Sequence, residues 1–256
     1  MASSATPVTL TPEAVRFARQ SFRHPDIDKL LASNATFKAS YDRVRDGIVR
    51  NVKTKPGGFV ATSGLILPYY LNLSTNFMDP EVAPHIVAMV SEMLLVLHAE
   101  IVTKLSLPPS AKLAIVGMEV AGGMMVAQLA SAANPSLMDK FSFIYMRKDK
   151  KTTGTAQQLE AKREFTERTS AAPLLPAIWV DDANSTGSSL RQGIDILKTD
   201  YNIDIVTALY VVDRSADRAS LPNEKLVYAG LRFMEGHTVV RSIYDLSEID
   251  PLVPRL

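Results

Sequence analysis

The chain has 256 residues, a formal net charge of +1 and no cysteine. That length can bury a sizeable core as one large domain or a domain with an appendage, and the balanced charge offers no basic face for capturing DNA or RNA. The absence of cysteine excludes a disulfide framework, a thiolate metal site and a cysteine nucleophile, and residues 1–7 lack the apolar run of a secretory leader.

In chain order, residues 11–53 carry apolar side chains at three- and four-residue steps, with Phe37, Tyr41, Val44, Ile48 and Val52 on one stripe, which predicts helix. Residues 1–58 therefore read as a helical extension packed on a core domain of residues 59–256. Lys55-Pro56-Gly57-Gly58 reads as a break. Residues 59–73 follow as two short extended pieces interrupted at Ser63-Gly64, which predicts a small antiparallel element. Residues 80–105 are the longest helical candidate, with Val82, Ile86, Met89, Val90, Met93, Leu97 and Ile101 on a stripe that needs a sheet to cover it. The greasiest part, residues 86–97, is interrupted by Glu92 and too short to span a bilayer.

After Pro108-Pro109 the pattern alternates: strand 113–116, helix 122–133, strand 141–146, a polar stretch, strand 177–180, helix 188–199 and strand 205–212. Such alternation predicts a parallel sheet flanked by helices. Residues 226–249 supply further strands and a short helix, expected to fold beside the first segment.

The strand Ala177-Ile178-Trp179-Val180 ends on two carboxylates, Asp181 and Asp182, followed by Ala183, Asn184, Ser185, Thr186, Gly187, Ser188 and Ser189. Open α/β sheets bind ligands at the carboxyl ends of their strands. Short side chains there let backbone N–H groups approach an anion, and a helix starting near Ser188 would aim its positive dipole end at it. Taken without the rest, two acids and a turn fit an ordinary capped helix equally well. Arg147-Lys148-Asp149-Lys150-Lys151 emerges from another strand at the same edge, where its charges suit pyrophosphate. The following polar residues, with Gly154 as a hinge, suit a loop closing over substrate. His24, His85, His98 and His237 are dispersed without metal-ligand spacing, and residues 117–123 lack the Gly-Lys-Ser ending of a nucleotide-triphosphate loop.

Four apolar residues, Asp-Asp, two residues and Ser-Thr-Gly-Ser-Ser together resemble the phosphoribosyl pyrophosphate (PRPP) motif of type I phosphoribosyltransferases. Three further stretches resemble the orotate phosphoribosyltransferase branch: residues 62–72 with Ser-Gly and Pro-Tyr landmarks, residues 147–154 as Arg-Lys-x-x-Lys-x-x-Gly, and Val212-Asp213-Arg214. The resemblance covers roughly residues 59–249 and implies a Rossmann-like parallel sheet with a small hood formed by N- and C-terminal segments, and a mobile lid at about residues 149–172.

It further implies that Asp181 and Asp182 hold the ribose hydroxyls while residues 183–189 wrap the 5′-phosphate. Arg147, Lys148 and Lys151 would contact pyrophosphate, with Lys148 and Lys151 counted as catalytic together with the two aspartates. Tyr70, Ser185 and Arg214 would contact orotate. Magnesium would be held mainly through PRPP and water, with no direct protein ligand. The implied protein is a cytoplasmic homodimer whose lid is shared between subunits, free of membrane and nucleic acid. The chain departs from the family at Thr62, Ala121, Thr152 and Thr153, where polar ligand contacts are usual. These departures keep two alternatives open, a transferase for another base and a noncatalytic PRPP-binding regulator.

Overall fold

A computed structural model of the chain describes residues 21–60, 66–150, 157–185, 187–214 and 238–253. Helices α1 (Ile27–Ser33) and α2 (Ala35–Arg50) lead into a hairpin of β1 (Val52–Val60) and β2 (Ile66–Leu71), and α3 (Leu73–Met78) and α4 (Ala83–Lys104) follow. The alternating section comprises β3 (Leu113–Met118), α5 (Ala121–Ser131), α6 (Pro135–Lys140), β4 (Phe141–Met146), β5 (Leu159–Glu160), α7 (Arg163–Thr166), β6 (Leu175–Asn184), α8 (Ser188–Tyr201) and β7 (Ile203–Asp213). The last described elements are β8 (Val239–Asp245), α9 (Leu246–Ile249) and a 3-10 turn at Asp250–Leu252.

The helical stripe in α2 is real, and Asn34 caps it by accepting the Phe37 N–H at 2.9 Å. Phe37, Tyr41, Val44 and Ile48 are buried on it, but Val52 is not its continuation: that residue opens β1 and pairs with Leu71. The expected break at residues 55–58 is also absent. β1 runs through Pro56, and the positive φ of Gly57 and Gly58 takes up a register shift between Thr54 and Phe59, so the strand bulges instead of stopping. At Gly58 the fit is close enough that a Cβ would stand 2.5 Å from the Leu67 carbonyl oxygen.

Six strands form the main sheet in the order β5-β4-β3-β6-β7-β8. All neighbours are parallel except β5, which is antiparallel to β4 through Tyr145↔Glu160 and Met146↔Leu159. Alternate side chains go to opposite faces. Leu113, Ile115, Ile178, Val180, Leu209 and Val211 join a core with α2, α4, α5 and α6. Ala114, Val116, Ala177, Trp179, Ala208 and Tyr210 join a second core with α8, Phe165 and Phe22. Strands buried on both faces read as continuous apolar runs, which is why they are found by composition and length. Helix α4 has the length and apolarity of a membrane span, yet Ile86, Met89, Val90, Met93, Leu94, Leu97 and Ile101 are buried in the first core.

The apolar run by itself ends the central strand at Val180. In the structure it continues to Asn184, because β7 offers partners past the acids: Asp181↔Tyr210, Ala183↔Val212 and Asn184↔Asp213. The C-terminal strand β8 pairs with β7, and residues 22–24 lie beside it. Ser242 N–H donates to the Phe22 carbonyl at 2.8 Å and His24 N–H to the Ser242 carbonyl at 2.9 Å. The first described residues are thereby fastened to the last strand, as the sequence reading expected. In the polar stretch, Leu159 and Phe165 are buried.

Candidate active site

β6 carries Asp181 and Asp182, still paired with β7, to a place beside the start of α5. The loop from β3 to α5 can lie that close because two glycines face each other: a Cβ on Gly117 would meet the Gly122 carbonyl oxygen at 2.1 Å, and one on Gly122 the Val180 carbonyl oxygen at 2.7 Å. The Gly122 backbone is thereby brought beside the Asp181 carboxylate, where its N–H favours the charged form. Asp182 N–H donates to Asp181 Oδ1 at 3.0 Å, and Ala183 N–H to Asp182 Oδ1 at 2.7 Å.

Burial drives the Asp181 carboxyl well above the usual carboxylate range, and the adjacent Asp182 charge adds to the rise, while the Asp182 and Gly122 N–H groups oppose it. Asp182 is also raised, again chiefly by burial, with N–H donors and the nearby Arg214 charge acting against the rise. Two like charges at one strand end ionise together only with difficulty, which is why the Asp182 charge adds to the rise at Asp181.

Beyond the pair, Gly187 adopts φ 75° and turns the chain into α8, whose first N–H groups have no partner within the helix. A cavity of about 90 Å³ opens here, lined by Asp181, Ala183, Asn184, Ser185, Gly187, Ser188, Ser189, Leu190 and Tyr210. A single water needs only about 10–15 Å³, so there is room for a larger polar group. Ser188 and Ser189 are exposed at its rim, whereas Asn184 is buried. The Asn184 Nδ2 donates to Asp213 Oδ1 at 3.2 Å and its backbone carbonyl accepts the Arg214 N–H at 2.9 Å. Asp213 is fully buried and its second oxygen accepts the Phe22 N–H at 3.0 Å. The acid of the Val-Asp-Arg element thus holds the strand ends together, and Arg214 emerges next to Asp182.

The basic segment leaves β4 at the same edge. Arg147 is committed to Glu160, with Nη2 and Nε at 2.8 and 3.0 Å from one carboxylate oxygen. Lys148 is exposed, and its ammonium has no ion pair among the described residues. Tyr70 stands apart from this cluster on the hairpin, 44% exposed, its ring 5.9 Å from that of Phe59. Lys151 and Thr186 lie outside the described residues, as do Thr62, Thr152 and Thr153. Ala121 opens α5.

Residue patterns do not mark Gly122 as a neighbour of Asp181, nor Glu119, Gln158 and Gln192 as partners of the Lys148 backbone. Only the glycine spacing Gly117…Gly122-Gly123 signalled any of this in the sequence. Three described histidines have structural partners: Ser40 for His85, the Ala111 carbonyl for His98, and Asp26 with Glu100 for His24. His24, Asp26 and Glu100 are close enough for a cation, but His24 Nδ1 accepts the Asp26 N–H at 3.0 Å. The ring proton is therefore on Nε2, which faces Glu100 at 3.3 Å and has no lone pair for a metal.

An orotate phosphoribosyltransferase from Mycobacterium tuberculosis has a similar structure, with a TM-score of 0.52 and 17% identity over 84% of this chain and 98% of that one. The chain has the type I phosphoribosyltransferase fold. Two curated relatives with that fold's chemistry in their names support the resemblance seen in the sequence. The orotate phosphoribosyltransferase of Picrophilus torridus is 23% identical over 181 residues, 71% of this chain and 90% of the relative. That of Methanosphaera stadtmanae is 26% identical over 160 residues, 62% of this chain and 74% of the relative. No family model matches the chain. The acid pair, the cavity and the basic segment occupy one sheet edge, where open α/β sheets bind their ligands.

Proposed function

We propose that the chain is a glycosyltransferase that moves the 5-phosphoribosyl group of PRPP to orotate, giving orotidine 5′-monophosphate and pyrophosphate. The observation that carries this reading is Asp181, with Asp182 beside it in β6, lining a cavity together with Ala183, Asn184, Ser185 and the start of α8. In the reaction a ring nitrogen of orotate forms a bond to the anomeric carbon while that carbon's bond to pyrophosphate oxygen breaks. Positive charge grows on the ribose and negative charge on the departing oxygen, so the useful groups are carboxylates on one side and cations on the other. Asp181 and Asp182 would accept from the ribose hydroxyls, the N–H groups and hydroxyls of Ser185, Ser188 and Ser189 would hold the 5′-phosphate, and Lys148 and Lys151 would meet pyrophosphate. Arg214, next to Asp182, suits the orotate carboxylate, which a guanidinium matches with two parallel bonds.

Magnesium fits this site as a companion of the diphosphate. The protein donors there are the hard oxygens of Asp181 and Asp182, which already accept backbone N–H groups. When bound, the ion would neutralise charge on the leaving group. The same reading makes the protein a cytoplasmic homodimer with a lid shared between subunits; the expected lid of residues 149–172 is shorter than the sequence suggests, because β5 pairs with β4 and Phe165 is buried in the core.

The test is orotate consumption and pyrophosphate release with PRPP and magnesium, repeated with adenine in place of orotate. Turnover with orotate alone is expected. Turnover with adenine instead would reassign the base, and PRPP binding without either reaction would make the chain a PRPP-binding regulator.

A further inference from the structure

The backbone of Lys148 is held from three directions. Its N–H donates to Glu119 Oε1 at 2.8 Å. Its carbonyl accepts from Gln158 Nε2 at 3.3 Å and from Gln192 Nε2 at 3.2 Å. These partners come from the loop between β3 and α5, from the chain returning towards β5, and from α8. Glu119 grips the end of β4 at two further points: its own N–H donates to the Met146 carbonyl at 2.9 Å, and its second oxygen accepts the Tyr145 hydroxyl at 3.4 Å. Burial and the Glu119 charge push the Tyr145 phenol up, so it stays protonated as a donor.

An acid beside the basic segment expected to receive pyrophosphate is unfavourable unless its charge is occupied. Here both carboxylate oxygens are engaged, and one of them holds the peptide of Lys148, whose ammonium is not ion-paired among the described residues. Arg147, immediately before it, is engaged by Glu160.

We propose that Glu119, with Gln192, is a positioning residue: it fixes the Lys148 peptide so that the ammonium of Lys148 is presented to the leaving pyrophosphate. This rests on the reading of Lys148 given above. Residues before Lys148 belong to the sheet, so its clamped peptide stands at the point where the chain leaves β4. Reacting groups displaced by about 1 Å can lose about a hundredfold in rate, so the orientation of this peptide is worth this many hydrogen bonds.

The experiment is a double-mutant cycle on the full chain with PRPP, orotate and magnesium, measuring kcat and the PRPP KM for Glu119→Ala, Glu119→Gln, Lys148→Ala and the double variants. Glu119→Ala is expected to lower kcat about tenfold to a hundredfold with little change in KM, because Lys148 acts on charge that develops only as the bond breaks. Glu119→Gln, which keeps an acceptor for the Lys148 N–H, should restore most of that loss. With Lys148→Ala already present, Glu119→Ala should cost less than about twofold more, since its effect runs through the missing amine. Multiplicative losses in the double variant would overturn the proposal.

Amide exchange of the Lys148 N–H, followed by NMR without ligands, is the second readout. Glu119→Ala and Gln192→Ala should each accelerate it, and unchanged exchange in both would likewise overturn the clamp. Should the parent chain release no pyrophosphate, the proposed reaction fails, while the exchange measurement still judges the clamp.

Discussion

Gly122→Ala separates catalytic geometry from general packing. The added Cβ would stand 2.7 Å from the Val180 carbonyl oxygen and 3.3 Å from Asp181 Oδ1, and the first of these is backbone, which cannot rotate away. Restoring the 3.4 Å of ordinary contact requires α5 and the end of β6 to part by about 0.7 Å. Overpacking of this kind costs about 1–3 kcal/mol, partly offset by the roughly 1 kcal/mol that alanine gains over glycine within a helix. The net loss of about 0–2 kcal/mol should lower Tm by no more than about 8 °C in a chain of this size.

The same opening shifts the Asp181 carboxylate away from the Gly122 backbone, so kcat should fall about tenfold to a hundredfold, far more than the stability change implies. Gly193→Ala is the control. Its Cβ would meet the Trp179 ring at 2.1 Å on the other face of β6, so it should destabilise at least as much while the folded protein keeps near-normal kcat. Thermal melts paired with active-site-normalised turnover decide the matter. Unimpaired turnover by a folded Gly122→Ala protein would refute the idea that this close approach aims the acid pair.

Three other outcomes are expected. Asp181→Asn should abolish most turnover, about a hundredfold or more, yet raise Tm at pH 7. The folded carboxyl lies above its unfolded value of 3.8, so the stability of its protonated form is complete below that pH and is lost as pH rises through the folded value. The advantage of the Asp181→Asn variant should therefore shrink as melts are repeated towards pH 4, and a constant advantage would contradict the sign. Arg214→Lys keeps the charge but loses the bidentate fork, so the orotate KM should rise about tenfold with the PRPP KM unchanged. Lys148→Ala should reduce kcat more than Arg147→Ala, because Arg147 is engaged by Glu160; the ion pair itself, being partly exposed, should contribute only about 0–1 kcal/mol to stability in urea titrations.

Much of the site was legible because its parts are contiguous in the chain. Asp181 through Ser189 form a strand end, a turn and a helix start within one stretch, and such local order is what residue patterns encode. The hairpin was less legible: Pro56, Gly57 and Gly58 signal a turn in any local reading, and only pairing with β2 makes them a bulge. Likewise β6 was cut short at Val180 because Asp181 and Asp182 look like a strand's end until β7 is placed alongside.

By itself the sequence determined the alternation of strands and helices, the edge at which the acids and bases emerge, and the chemistry those residues can perform. Tertiary structure alone decided which charges are engaged. Glu119 meets the Lys148 N–H and Asn184 meets Asp213 because β4 lies beside β3 and β7 beside β6, within a strand order that differs from the order along the chain. Strand order and glycine-permitted approach fix distances between residues remote in sequence, and periodicity records only the face a residue turns to, not the neighbour it finds there.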